Sequence, residues 1–186
     1  MAGLAIERGG WRLFENLSFA ARPGEHVALT GPNGAGKTSL LRAIAGFLRP
    51  SAGTVSIADD PESRIHFLGH HDGLKPALDA RAHVRFWAEL LGGAADAAID
   101  KVGLSRVADL PARTLSAGQS RRLALARLLV APRPVWLLDE PAAALDAAGK
   151  ALLDDLMAAH RRDGGVIIAA VHEPLGAPSQ TIDLRP

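Results

Sequence analysis

Hydrophobic positions along the chain follow two alternating rhythms. Short, nearly continuous apolar runs at 13–20, 27–30, 54–57, 65–68, 135–138 and 166–171 predict β-strands. Between them, apolar residues return every third or fourth position, the period of an α-helix with one buried face. Leu40, Leu41, Ile44 and Phe47 mark a helix over 37–46. Ala82, Phe86 and Leu90 share one face of a helix over 79–91, and a shorter helix over 94–102 ends at Gly103. Strongly patterned helices are expected over 116–130 and 146–162, the second stopped by Gly164-Gly165. The runs at 135–138 and 166–171 lack polar alternation, as strands buried on both faces do.

This alternation predicts an α/β fold with a mostly parallel sheet, a small antiparallel β portion at the N-terminus and an inserted α-helical subdomain. The insertion is expected at about 70–130, with 1–69 and 131–186 forming the core. A length of 186 residues with 48% hydrophobic content suits a domain with a sizeable core. The net charge of +1 offers no broad basic surface, so no nucleic acid partner is expected. Without cysteine the chain has no disulfide, no thiolate nucleophile and no Cys-based zinc site. Met1-Ala2-Gly3-Leu4 does not open a basic-then-apolar leader, and no signal peptide is expected. No stretch approaches the roughly 18 apolar residues of a membrane span. A membrane role would come through partners.

Candidate chemistry begins where the 27–30 strand ends. Gly31-Pro32-Asn33-Gly34-Ala35-Gly36-Lys37-Thr38 is a phosphate loop: Gly, four residues, then Gly-Lys-Thr, between a strand and a helix. That context predicts a P-loop NTPase core. Glycines let backbone N–H groups turn inward on phosphate oxygens, and the helix start adds positive potential. Lys37 is expected on the β- and γ-phosphates, the Thr38 hydroxyl on Mg2+, and Ser39 beside them. Asp139 ends the 135–138 run, and its carboxylate is expected to hold Mg2+ through water. Glu140 follows and is expected to act as general base on the attacking water. ATP and Mg2+ are the cofactors expected.

A third string has a plain structural reading. Ser116 and Gln119 have the spacing of a capping box before the 116–130 helix. Gly118, however, is a poor choice for a first helical turn unless something approaches the backbone closely. A helix start with a serine hydroxyl and a bare glycine is also an anion site. Two such starts in one chain suggest two half-sites.

The phosphate loop, Leu115-Ser116-Ala117-Gly118-Gln119 and Val135-Trp136-Leu137-Leu138-Asp139-Glu140, in this order, resemble an ATP-binding-cassette ATPase along essentially the whole chain. The resemblance implies a head-to-tail dimer, with each ATP between one subunit's phosphate loop and Ser116 and Gly118 of the other. It implies that Ala144-Leu145-Asp146 is the loop crossing the dimer interface, so Asp146 joins the site residues. It makes His172, after the 166–171 strand, the switch histidine on the γ-phosphate. It also implies that the helical insertion, including Arg85-Phe86-Trp87, receives integral membrane subunits. Phe86 and Trp87 are adjacent on a helix, so one faces inward and the other is a candidate contact.

Leu68-Gly69-His70-His71-Asp72-Gly73-Leu74-Lys75, then Arg85-Phe86-Trp87, and Ala117 inside the third string, are similar to the haem-exporter ATP-binding subunits of cytochrome c maturation. This narrower resemblance implies ATP-driven haem export or handling in cytochrome c biogenesis. It implies a peripheral protein on the cytoplasmic face of the bacterial inner membrane, with haem met only indirectly. The alternatives are a transporter of another cargo, such as a lipid or drug, and a soluble cassette ATPase on nucleic acid or ribosomes. Two positions depart from the family pattern. Where the family places a metal-binding Gln, this chain has His70 or His71, and His70 is the candidate ligand. Where many members stack adenine on an aromatic residue, Arg8 aligns and Trp11 lies nearby.

Overall fold

The computed structural model describes residues 1–57, 65–172 and 175–185. In chain order the strands are β1 (Ala2–Arg8), β2 (Trp11–Leu17), β3 (His26–Thr30), β4 (Ala52–Thr54), β5 (Ile65–Leu68), β6 (Val135–Asp139), β7 (Val166–Ala170) and β8 (Gln180–Asp183). The α-helices are α1 (Lys37–Ile44), α2 (Ala80–Leu91), α3 (Asp96–Lys101), α4 (Ala117–Val130) and α5 (Ala147–Arg162). The α/β class read from the sequence is the one that forms. The chain divides into two compact units. One comprises Met1–Phe67, Pro134–Glu140 and Met157–Pro186; the other comprises Leu68–Arg133 and Pro141–Leu156. Residues 141–156 thus group with the helical unit, whereas the sequence boundary assigned all of 131–186 to the core.

In the first unit a five-stranded sheet has the order β5-β6-β7-β3-β8. β3 pairs in parallel with β7 and β8, and β6 pairs in parallel with β7. Leu29 and Asp139 both lie in register with Ala170, so β3, β6 and β7 end level at their carboxyl ends. In parallel α/β sheets that edge is where ligands bind. A smaller antiparallel sheet runs β2-β1-β4. Leu4, Ile6 and Phe14 from it share a core with Val27, Leu29, Leu40 and Leu41. Gly9 and Gly10 join β1 to β2 with φ of 59° and 81°. Two positive-φ residues make the tight hairpin turn that matches strand twist. It sets Arg8 opposite Trp11.

The strand limits shift for reasons of pairing. β2 runs over Trp11–Leu17 rather than 13–20, because Leu17 already pairs with Leu4 near the start of its partner. The expected 54–57 strand is realised only at Thr54, where β4 reaches β1. β1 and β8 were not expected; β8 alternates half-buried and exposed positions, an edge-strand pattern with little apolar content. α1 ends at Ile44, and Phe47 lies beyond it, 70% exposed and edge-on to Phe67.

The second unit is helical. The Asp79 carboxylate accepts from Ala82 N–H at 2.6 Å and caps α2, while Gly92 in the left-handed region ends it. α2 buries Ala80, His83, Val84, Trp87 and Ala88. Its Phe86 and Leu90 are 55% and 65% exposed, so the face they share points outward. Trp87 is the inward member of the Phe86-Trp87 pair. Lys75 N–H donates to His83 Nε2 at 2.8 Å. The ring proton is therefore on Nδ1, which donates to the Asp79 carbonyl at 2.8 Å.

Candidate active site

The phosphate loop leaves the end of β3 and enters α1. Gly31, Gly34 and Gly36 have φ of 128°, 85° and 100°. At Gly31 a Cβ would sit 2.2 Å from the Leu184 carbonyl oxygen, so only glycine fits. Within the loop, Ala35 N–H donates to the Pro32 carbonyl at 3.2 Å. Lys37 is buried and arches back over the loop, donating from Nζ to the Gly31 and Pro32 carbonyls at 2.7 and 3.1 Å. Among the described residues no side chain caps α1, and its first turn has no acid. Its leading N–H groups and the adjacent ammonium form a cradle whose chemistry fits a phosphate.

Thr38 Oγ1 lies 3.1 and 2.9 Å from the two carboxylate oxygens of Asp139. This brings a hydroxyl and a buried carboxylate from α1 and β6 together, hard oxygen donors of the kind Mg2+ prefers. Among the described residues no group of three His, Cys, Asp or Glu side chains forms a metal cluster. Any ion at Thr38 and Asp139 would complete its shell with phosphate and water oxygens.

Glu140 leaves β6 at φ 49°, a left-handed conformation rare for a non-glycine residue. Such a backbone costs on the order of 1–3 kcal/mol and persists only where the surroundings enforce it. Glu140 N–H donates to the Ala170 carbonyl at 2.9 Å, fastening it to the end of β7. Its Oε1 lies 3.0 Å from His172 Nε2, just past that strand. With Glu140 ionised, Nε2 carries the proton and donates it. β6 and β7 thus bring together the two residues expected to act on the γ-phosphate.

A cavity of about 650 Å³ opens over this loop, lined by Asn33, Gly34, Gly36, Lys37, Thr38, Ser39, Glu140 and both hairpin residues Arg8 and Trp11. Trp11 is 78% exposed, so it does not pack into the core. Arg42, on α1, also lines the cavity and was missed in the sequence. It sits in the polar part of a helical pattern read only for its apolar residues.

The remaining expected site residues lie in the helical unit. Ser116 and Gln119 form the capping box of α4. Ser116 Oγ accepts from Gln119 N–H at 3.2 Å, and Ser116 N–H donates to Gln119 Oε1 at 2.9 Å. At Gly118 a Cβ would sit 3.1 Å from the Ala144 carbonyl oxygen, so the glycine answers a close approach within the chain itself. The Asp146 carboxylate accepts from Gly149 N–H at 2.8 Å in the first turn of α5. His70 and His71 are exposed, with ring centroids 5.3 Å apart.

The sequence reading also missed Arg121, only 3% exposed on α4. Its Nη1 donates to Asp72 Oδ1 at 2.8 Å and to the Gly69 carbonyl at 3.0 Å, and its Nε donates to the Pro141 carbonyl at 3.1 Å. The available signal was a charge on the face of Leu125 and Leu128, four and seven residues on.

A glycine-lined phosphate cradle, with Asp139 and Glu140 at the carboxyl ends of a parallel sheet, defines a P-loop nucleotide hydrolase. More specifically, residues 14–143 match the family model described as "ABC transporter", and the chain belongs to that family, as one of its ATP-binding, ATP-hydrolysing members. It is 53% identical over 182 residues to "Cytochrome c biogenesis ATP-binding export protein CcmA" of Rhodopseudomonas palustris (strain BisB5), covering 94% of this chain and 91% of that one. To the protein of the same name from Paramagnetospirillum magneticum it is 46% identical, covering 94% and 88%. A putative ABC transporter ATP-binding protein from Pyrococcus furiosus shares the fold, with a TM-score of 0.87, 24% identity, and coverage of 98% of this chain and 95% of that one. A dimeric, post-hydrolysis ATP-binding cassette bound to ADP and Pi matches with a TM-score of 0.77 and 25% identity, covering 92% and 86%.

Proposed function

We propose that this chain is the ATP-hydrolysing subunit of a membrane export complex serving cytochrome c biogenesis, with haem export or handling as the work coupled to ATP. The carrying observation is the 53% identity, over nearly the full length of both chains, to a cytochrome c biogenesis export ATPase. Two copies assemble head to tail, a reading supported by the dimeric cassette of matching fold. Each ATP lies between the phosphate loop of one copy and Ser116 and Gly118 of the other, with Gln119 holding the helix start and Asp146 at the interface. The loop N–H groups from Gly31 to Ser39 receive the phosphates, and Lys37 exchanges its carbonyl partners for β- and γ-phosphate oxygens.

Mg2+ would be held by Thr38 and Asp139, and would neutralise phosphate charge during transfer. His70 is the further candidate ligand. Glu140 accepts a proton from the attacking water, and His172 steadies its carboxylate and contacts the γ-phosphate. Trp11 supplies a face for adenine. The helical insertion at about 70–130 docks integral membrane subunits, placing the chain peripherally on the cytoplasmic face of the inner membrane; haem is met only indirectly. The absence, among the described residues, of a helix able to cross a membrane accords with this reading.

A host strain carrying Glu140→Gln in place of the parent should lose its haem-staining c-type cytochromes while the variant chain accumulates normally. Unchanged cytochromes would overturn the assignment.

A further inference from the structure

Glu140 occupies a backbone conformation that needs external support, and the residue after it is proline. A residue before proline is normally driven to the extended region, away from the φ of 49° seen here. The Ala170 carbonyl fastens Glu140 from its N–H side. On the other side, the Pro141 carbonyl takes the Nε–H of Arg121. Proline has no N–H, so its carbonyl is the backbone group through which this residue can be hydrogen-bonded.

Arg121 is itself fixed from two further directions. The Asp72 carboxylate, partly buried, balances its charge, and the Gly69 carbonyl takes a second bond from the same Nη1. A guanidinium buried to this degree is stable only with its donors satisfied and its charge paired. One rigid, planar group therefore joins three separate segments: the loop after β5, the first turns of α4, and the chain leaving Glu140. Lysine could not reproduce the fork, because its donors radiate from a single nitrogen.

We infer that Arg121 is a positioning residue for hydrolysis, holding the general base Glu140 in its strained conformation through the Pro141 carbonyl, with Asp72 as the counter-ion that keeps the guanidinium in place. The inference rests on the reading of Glu140 as the base. It makes Asp72 a determinant of catalysis through Arg121: release of Asp72 loosens Arg121, and Glu140 relaxes.

The test is single-turnover ATP hydrolysis by the full chain at high protein concentration, with binding of a fluorescent ATP analogue measured in parallel. Arg121→Met should slow turnover tenfold or more while nucleotide affinity stays within twofold. Arg121→Lys should fall between it and the parent, and Asp72→Asn should lose at least threefold. In a Glu140→Gln background, Arg121→Met should add less than twofold, because its target is already gone. A merely structural role would instead lower both backgrounds by the same factor, and that result overturns the inference. Parental turnover in a folded Arg121→Met chain does so too. If Arg121→Met does not fold, parental turnover in both Arg121→Lys and Asp72→Asn overturns it. Parental turnover in Glu140→Gln alone would refute the base assignment itself, whereas an inert Glu140→Gln with a fully active Arg121→Met refutes only the inference.

Discussion

His26 links the stability of the nucleotide-binding unit to pH in a window that can be calculated. It lies on β3, 1% exposed, and among the described residues its Nε2 has no hydrogen-bond partner. Burial, and secondarily the nearby Arg161 guanidinium, lowers its pKa from 6.5 to about 4. The unfolded chain therefore binds a proton between pH 6.5 and 4 that the native chain refuses, and stability rises with pH across that interval. The contribution is complete above pH 6.5 and is lost as pH falls toward 4. Integration of the linkage relation from pH 7 to 5 gives a loss of about 2 kcal/mol, approaching about 3 kcal/mol by pH 4. His160, stacked on Trp136 and also pushed down by burial, acts in the same direction. Urea unfolding of the parent and of His26→Leu at pH 7 and pH 5 isolates the His26 share. The substitution changes packing by the same amount at both pH values, so that offset cancels. The parent should lose about 2 kcal/mol more than the variant. Parallel losses would refute the argument.

Gly31→Ala places a methyl against the Leu184 carbonyl in a backbone disfavoured for alanine, and should cost about 3 kcal/mol or more in thermal unfolding; a melting temperature equal to the parent's would contradict the close approach. Trp11→Ala should weaken binding of a fluorescent ATP analogue about tenfold or more without lowering the melting temperature, as loss of a stacking face does; a larger loss for Arg8→Ala would move the platform to Arg8. Gly118→Asp should leave that binding intact and abolish both nucleotide-dependent dimerisation, seen by light scattering, and hydrolysis. Gly118→Ala is the control for crowding against Ala144, and normal hydrolysis in Gly118→Asp would refute the shared site.

The phosphate loop was legible because its chemistry is local: glycines, lysine and threonine occupy one continuous segment between a strand and a helix. Asp139 and Glu140 were legible for the same reason, and the sheet then set them beside Thr38 and His172. Arg121 was not, because its partners Gly69, Asp72 and Pro141 come from segments that meet only in the fold. On α2, Ala82, Phe86 and Leu90 repeat with helical period, and so do Ala80, Val84, Trp87 and Ala88. With apolar residues on both faces, periodicity cannot say which turns inward. β8 escaped notice because an edge strand needs only half its positions buried, and its polar residues hide the alternation.

The capping box at Ser116 separates what folding asks of a position from what the proposed function asks. Its Oγ accepts the Gln119 N–H, and a serine hydroxyl that accepts one bond still carries a hydrogen it can donate. Aspartate caps a helix about as well as serine, but it carries no hydrogen and brings a negative charge. Ser116→Asp would therefore preserve the helix while replacing a hydroxyl able to donate to the proposed phosphate with a carboxylate that repels it. Two residues that a folding criterion treats as synonyms become opposites once an anion must sit in front of them.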